Sequence, residues 1–234
     1  MNIKGHIRRA LHPLADPLAR KWHKRSLSYS AAGEDQIVLG WLEQFHRLSG
    51  GEVRYLDIGA NDPINNSNTF LFYSLGAKGV LVEPNPESIG KLERTRKRDT
   101  ILNVGCAFDE RRSAKLKRLT SHVFSTFVDA QASRIVTASE DWKSRQAVVD
   151  EIEVPLISAN EIIDRHFTDG IDFISIDAEG VDMAILKSID LTRFKAKMIC
   201  VEASSPLVEF DAYLSQFGYE RFARTPDNLI YLSP

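Results

Sequence analysis

The sequence has little of several features that would define its class. Only two cysteines, Cys106 and Cys200, occur among 234 residues, and they lack the spacing of a zinc site or a disulfide framework. No apolar run approaches the roughly 20 residues that span a bilayer, and the N-terminus lacks the continuous apolar stretch of a signal peptide. We therefore expect a soluble cytoplasmic protein with both thiols in its core.

An excess of charge of one sign is also missing. The formal net charge is -2, which gives no overall electrostatic reason to bind nucleic acid, since nucleic-acid-binding domains are usually basic over at least one face. The length suits one large globular domain. We expect no nucleic-acid partner, and the composition predicts no particular oligomeric state.

The N-terminal segment differs from the rest of the chain. Its many basic residues are opposed only by Asp16, and its apolar residues recur at helical spacing between prolines. We therefore divide the chain into a basic N-terminal segment, 1–28, and a main domain, 29–234. Two interpretations stay open: an ordinary helix with a solvated face, or weak peripheral contact of residues 1–27 with anionic lipid at the inner face of the membrane.

From Glu34 onward, short apolar runs rich in β-branched residues alternate with helical stretches. The first helix is predicted from Glu34 to Leu48, ended by Gly50 and Gly51. Strand–helix alternation implies a doubly wound α/β fold with a mostly parallel sheet, and the last two strands predict an antiparallel hairpin around a Pro-Asp turn. The predicted strands are 53–58, 79–82, 101–104, 171–176, 198–201, 219–225 and 228–232.

The first predicted strand ends in an acidic residue and a sharp turn, Asp57-Ile58-Gly59-Ala60-Asn61. Ligands of open α/β sheets bind beyond the carboxyl ends of the strands, where a glycine lets the backbone approach them closely. A dinucleotide site would carry G-x-G-x-x-G aimed at a pyrophosphate, but only Gly59 is present. The turn instead suits S-adenosylmethionine (SAM), whose ammonium Asp57 would hold directly or through water. Capping of the turn is the alternative role of Asp57.

The next three strands end in residues suited to the same ligand. Glu83, which precedes Pro84, can accept hydrogen bonds from both ribose hydroxyls. The third strand brings small residues to the expected adenine position, and the fourth ends in Asp177-Ala178-Glu179-Gly180. Asn68 is also a candidate pocket residue, because the helix cap that contains it, Ser67-Asn68-Thr69, is expected to lie close to the glycine turn. The predicted cofactor-binding residues are Asp57, Gly59, Ala60, Asn61, Asn68, Glu83, Pro84, Ala107, Phe108 and Asp177.

Together these motifs resemble the FkbM-type methyltransferases, SAM-dependent enzymes that mostly modify natural products, glycans and glycolipids. The resemblance runs from about Tyr29 to the C-terminus and includes departures at Asp62-Pro63 and at 158–160. It implies a seven-stranded, Rossmann-like sheet of the class I SAM-methyltransferase type, with SAM as cofactor, S-adenosylhomocysteine as product, and O-methylation. The residues that carry it are Ser30, Gly33-Glu34-Asp35, Asp57 to Asn61, Ser67-Asn68-Thr69, Glu83-Pro84-Asn85, Asp177 to Gly180, Leu186 and Val201-Glu202.

Residues 115–154 mix a strand pair with a polar helix around Trp142, and we expect this segment to cover the active site. His122 lies within it and is a candidate general base, because the unperturbed pKa of histidine, near 6.5, suits proton transfer at neutral pH. An ordinary surface histidine is the alternative. His166 is expected at the surface.

Methyl transfer from a sulfonium requires in-line positioning of the acceptor, and a hydroxyl benefits from a nearby base. Asp177 and Glu179 are therefore candidate catalytic residues beside His122. Either carboxylate could instead orient the cofactor or bind a divalent cation, although a metal is not favoured and no metal ligand is predicted.

The expected function is SAM-dependent O-methylation of a sugar hydroxyl in a glycan, glycolipid or glycosylated small molecule. A SAM- or nucleoside-binding module without catalysis is one alternative. A nucleotide-dependent oxidoreductase or epimerase is another, but the missing G-x-G-x-x-G and the missing Tyr-x-x-x-Lys pair argue against it.

Overall fold

The computed structural model describes residues 27–121, 125–138 and 145–233. Its strands are β1 (Tyr55–Ile58), β2 (Val80–Val82), β3 (Thr100–Leu102), β4 (Gly105–Ala107), β5 (Ser113–Leu119), β6 (Val148–Ser158), β7 (Phe173–Ile176), β8 (Met198–Glu202), β9 (Glu220–Arg224) and β10 (Asn228–Leu232). Seven of them form the main sheet in the order β3-β2-β1-β7-β8-β10-β9. Pairing is parallel from β3 to β8, and β10 is antiparallel to both of its neighbours. The predicted fold class, including the C-terminal hairpin, is confirmed.

Helices cover both faces of this sheet. They are α1 (Glu34–His46), α2 (Phe70–Leu75), α3 (Pro86–Thr95), α4 (Asp129–Ala138), α5 (Ala159–His166), α6 (Asp182–Ser188) and α7 (Leu207–Leu214). A membrane-spanning length of apolar helix does not occur among these described elements.

The core forms two layers because successive strand residues face opposite sides of the sheet. Tyr55 of β1 packs with Leu42 of α1 and Phe72 of α2, whereas the next residue, Leu56, packs with Ile163 of α5 on the other face. Both faces of the central strands are therefore buried, which explains why their sequences are mostly apolar, with Asp57 in β1 and Ser175 in β7 as buried polar exceptions.

The strand order places a crevice at one edge of the sheet. β2 and β3 lie on one side of β1, and β7 and β8 lie on the other. At such a reversal the connections leave the sheet in opposite directions, so a ligand can enter between the carboxyl ends of the central strands. The fold thus positions the ends of β1, β2, β7 and β8 around one site.

The first helix is shorter than its sequence predicts. It ends at His46, and Arg47 closes it in the left-handed conformation with φ 53°. Gly50 and Gly51, predicted to end the helix, instead form a 3-10 turn against α2. A Cβ on Gly50 would lie 2.3 Å from a methyl of Leu75, so this glycine pair permits close packing.

The third strand also departs from its prediction. β3 ends at Leu102, where Asn103 donates hydrogen bonds to the carbonyls of Glu83 (2.9 Å) and Pro84 (3.1 Å). The chain then leaves the main sheet, and Gly105 pairs with Leu156 in a separate sheet of order β4-β6-β5. The residues after 104 therefore do not continue β3.

The segment 115–154 contains the predicted strand pair. β5 and β6 pair in antiparallel fashion, and α4 follows β5 along the chain. Trp142 lies outside the described residues. Ser158, at one departure from the family pattern, caps α5 by accepting a hydrogen bond from the backbone N–H of Glu161 at 3.2 Å.

Candidate functional site

A cavity of about 620 Å³ lies at the carboxyl edge of the main sheet, at the ends of β1, β2, β7 and β8. Its walls come from loops that are far apart in sequence, and α4 with the residues before it covers one side. The predicted site residues that line it are Gly59, Ala60, Asn61, Asn68, Glu83, Pro84, Asp177 and Glu179.

The glycine turn after β1 is fixed by contact with two other strands. The backbone N–H groups of Gly59 and Ala60 donate to the carbonyl of Val82 at 2.9 and 3.2 Å. Gly59 has φ 88°, and a Cβ there would lie 1.7 Å from the carbonyl oxygen of Asp177. Only glycine fits this position, because both its conformation and its space exclude a side chain.

Glu83 presents a buried carboxylate to the cavity. Its side chain accepts hydrogen bonds from the backbone N–H groups of Asn61 at 2.8 Å and Asn85 at 2.7 Å. Burial raises the pKa of this carboxyl to about 7, against the opposing effect of those two hydrogen bonds. Each oxygen retains a second lone pair with which it can accept from a ligand hydroxyl.

Asp57 occupies a different environment from the one its motif suggests. It does not line the main cavity, and its carboxylate accepts a 2.6 Å hydrogen bond from the Thr69 hydroxyl. Burial raises the pKa of Asp57, while Thr69 and the nearby Arg96 oppose that shift. Direct contact with a ligand ammonium stays a prediction, and the observed contact ties β1 to the start of α2.

Arg96 organises the loop between β1 and α2, although no motif pointed to it. Its guanidinium is fully buried and donates to the carbonyl of Pro63 (3.1 Å), the hydroxyl of Thr69 (3.0 Å) and the carboxylate of Asp99 (2.7 Å). It also donates to Ser67 at 3.4 Å. These hydrogen bonds hold the loop that carries several cavity residues in one conformation, without any contribution from a ligand.

Three carboxylates lie close together beside the cavity, and two of them, Asp177 and Glu202, line it. Oxygens of Asp177, Asp182 and Glu202 lie within 4.8 Å of one another. Asp182 is fully buried and accepts hydrogen bonds from the backbone N–H groups of Ala178 (2.6 Å) and Gly180 (3.1 Å). Carboxylate oxygens are ligands that Mg²⁺ and Ca²⁺ prefer, so the metal alternative stays open here.

Burial and mutual repulsion raise the pKa values of two members of this cluster, Asp177 and Glu202. Burial, followed by the charges of Asp182 and Glu179, raises the pKa of Asp177 to about 8. Burial and the same neighbouring carboxylates raise the pKa of Glu202 well above its usual range. Asp177 and Glu202 are consequently at least partly protonated at neutral pH.

The raised pKa of Glu202 predicts a pH-dependent stability. An unfolded glutamate titrates near pH 4.3, so the folded chain binds more protons above that pH and loses stability as pH rises toward the folded pKa. Glu202→Gln removes this loss, and we expect it to raise the free energy of unfolding at pH 9 by about 1–2 kcal/mol, with little effect at pH 4.5. Thermal unfolding across this pH range checks the prediction.

The exposed Glu209→Gln on α7 is the matched control and should follow the wild-type profile. Parallel profiles for the wild type and Glu202→Gln would contradict a protonated Glu202.

Glu179 joins the carboxylates to the covering segment. Its backbone is left-handed, with φ 49°, and its carbonyl accepts a 2.8 Å hydrogen bond from the Thr126 hydroxyl. Burial and then the charge of Asp182 raise the pKa of its carboxyl to about 7, against a hydrogen bond from Gln131. Strained backbone of this kind concentrates at functional sites.

The covering segment lines the cavity, as its position in the sequence predicted. Ser125 and Phe127 approach from the residues before α4, and Gln131 and Ile135 approach from α4 itself. His122, the third candidate base, lies outside the described residues. His166 lies at the exposed end of α5.

Ala107 and Phe108, which were predicted to lie near the adenine, do not line the main cavity. Ala107 is buried in β4, and Phe108 lines a second cavity of about 300 Å³. Cys106 reaches both cavities instead. Because the third strand leaves the sheet early, the side chain that faces the main cavity is shifted from Ala107 to Cys106.

The parallel sheet with a reversed last hairpin, together with a cavity at its carboxyl edge, defines the class I SAM-methyltransferase fold. The FkbM methyltransferase domain model matches residues 57–221. The chain therefore belongs to the FkbM methyltransferase family.

No curated protein matches this chain significantly. One similar solved structure is a precorrin-6y C5,15-methyltransferase from Geobacter metallireducens, at 16% identity and a TM-score of 0.44 over 85% of this chain and 86% of that chain. Another is a TehB-like SAM-dependent methyltransferase from Corynebacterium glutamicum, at 10% identity and a TM-score of 0.42 over 99% of this chain and 97% of that chain.

Proposed function

We propose that the protein is a SAM-dependent O-methyltransferase that acts on a sugar hydroxyl in a glycan, glycolipid or glycosylated small molecule. One observation carries the cofactor assignment: the Glu83 carboxylate and the Gly59 turn share one wall of a 620 Å³ cavity, joined by the hydrogen bond from Asn61. The family membership supports methyl transfer, and the preference for oxygen and for sugars rests on the resemblance alone.

The donors and acceptors of the cavity fit SAM. The volume lies in the range of small-molecule sites, about 300–1,000 Å³. Glu83 can accept from a ribose diol, Asn61 and Asn68 can contact an amino-acid group, and Asp177 can hold an ammonium. Bound SAM would supply an electrophilic methyl group on a sulfonium.

The acceptor hydroxyl would lie near the carboxylates of Asp177 and Glu179. Proton removal strengthens the oxygen nucleophile. A base is best suited to this step when its pKa lies near the pH at which the enzyme works. Glu179, with a carboxyl pKa of about 7, meets that requirement. We assign Glu179 as the proton acceptor and Asp177 as a residue of the cofactor side.

The proposed cellular setting rests on composition alone. We propose a cytoplasmic enzyme, with weak peripheral contact of residues 1–27 with the inner membrane face, no nucleic-acid partner, and no resident metal. Added EDTA should then leave methyl transfer unchanged.

Titration calorimetry with SAM, S-adenosylhomocysteine and NAD tests the cofactor assignment. Glu83→Gln is expected to weaken binding of both sulfur nucleosides by about 10–100-fold, because it replaces a charged acceptor, whose hydrogen bonds contribute about 1.5–3 kcal/mol. The exposed Glu93→Gln on α3 is the matched control. Binding of NAD alone, of neither ligand class, or of SAM equally well by Glu83→Gln would refute the proposal.

A further inference from the structure

The second cavity, of about 300 Å³, adjoins the main cavity. Three residues, Cys106, Phe127 and Val181, line both cavities and form the wall between them. Leu156 of β6 and Ala114 of β5 line the second cavity only. The two spaces are therefore neighbours, and the separating wall consists of side chains without charge.

The lining of the second cavity is mostly apolar, and its two charged side chains are already paired. Arg111 is paired with Asp109, with 2.8 Å between its Nε and a carboxylate oxygen, and Asp129 is paired with Lys117 at 3.0 Å. Among the lining residues that the structure describes, the remaining side chains are apolar or aromatic, apart from the Cys106 thiol. Burial raises the pKa of that thiol to about 12, so it stays neutral. Such a lining favours an apolar occupant.

The covering segment connects this space with the candidate base. Thr126 donates its 2.8 Å hydrogen bond to the carbonyl of Glu179, and the next residue, Phe127, belongs to the shared wall. Val181, a second residue of that wall, lies two residues after Glu179 in the chain. Residues that line the second cavity therefore adjoin Glu179 both along its own segment and across the hydrogen bond from Thr126.

Given the proposed function, on which this inference rests, we propose that the second cavity binds an apolar group of the methyl acceptor. The substrate class is then a sugar joined to an apolar aglycone, such as an alkyl or aryl glycoside, rather than a bare polar glycan. The sugar hydroxyl lies at the carboxylates, and the aglycone packs against Phe127, Val181 and Leu156.

Two glucosides that differ only in the aglycone test this proposal. Protein saturated with S-adenosylhomocysteine is titrated calorimetrically with octyl β-D-glucopyranoside, below its micelle-forming concentration, and with methyl β-D-glucopyranoside. We expect the octyl compound to bind at least about 10-fold more tightly, because a buried alkyl chain leaves water. Ala114→Phe, which fills the second cavity only, should abolish this preference and leave S-adenosylhomocysteine affinity unchanged.

The exposed Ala212→Phe on α7 is the control for adding an aromatic ring and should keep the octyl preference. Equal affinity for both glucosides, binding of neither, or an octyl preference that survives in Ala114→Phe would overturn the inference while cofactor binding stands. Failure of S-adenosylhomocysteine itself to bind would instead overturn the proposed function.

Discussion

Replacing Gly59 with alanine is expected to cost more than about 4 kcal/mol of unfolding free energy, enough to prevent stable folding of many domains. The added Cβ would lie 1.7 Å from the carbonyl oxygen and 2.8 Å from the carbonyl carbon of Asp177. Both are backbone atoms of the loop after β7, so no side-chain rotation can relieve the clash. Relief requires the loops after β1 and β7 to separate, which breaks the hydrogen bond from the backbone N–H of Asp177 to the carbonyl of Ile58.

Gly33 supplies a matched control for this substitution. Its φ of 92° is close to that of Gly59, but a Cβ there would meet nothing within 4 Å. Gly33→Ala should therefore show the conformational cost alone, about 1–2 kcal/mol. Urea unfolding followed by circular dichroism measures both variants. Similar losses at the two positions would mean that the close approach to Asp177 does not limit Gly59.

The need for Gly59 was predictable from sequence, but its physical reason was not. The pattern of a strand, an acidic residue and a lone glycine indicated a close approach of the backbone to a ligand. The structure shows that the nearest neighbour is the backbone of Asp177, more than a hundred residues later in the chain. A local pattern marks the position, whereas the partner depends on how the strands are ordered.

The architecture could be predicted because its signals are local and repeated. Alternation of apolar strands with helices predicts the parallel sheet, and the Pro226-Asp227 turn predicts the antiparallel hairpin. The exit of the chain after Leu102 could not be predicted in this way. It depends on hydrogen bonds of Asn103 to the end of β2 and on the pairing of Gly105 with Leu156.

The site was predictable where a residue ends a buried strand, as Glu83 and Asp177 do. Arg96 was missed because Arg96 to Asp99 resembles a solvent-exposed charged stretch, although Arg96 is fully buried. Asp182 was missed because it begins an ordinary helix, and its role appears only when β8 brings Glu202 beside it. Signals of this kind depend on contacts between distant segments, which periodicity does not record.

Separate substitution of the two candidate catalytic carboxylates should give different results. Glu179→Gln is expected to slow methyl transfer about 10²–10⁴-fold, the usual contribution of a general base, while SAM affinity changes little. Asp177→Asn should weaken SAM binding as well, because Asp177 lies against the Gly59 turn and within the three-carboxylate cluster. Transfer of a radiolabelled methyl group to an acceptor found by screening measures the rates, and calorimetry measures the affinities.

The pH dependence of the same reaction separates a base from a residue that only shapes the site. A base must be ionised, so wild-type turnover should rise as pH increases through about 7, the pKa of the Glu179 carboxyl. Glu179→Gln should lose that rise, whereas the exposed Glu93→Gln should retain it. If Glu179→Gln keeps both the wild-type rate and the wild-type pH profile, the proton is accepted elsewhere. If the rate falls but the profile persists, Glu179 positions the acceptor without taking its proton.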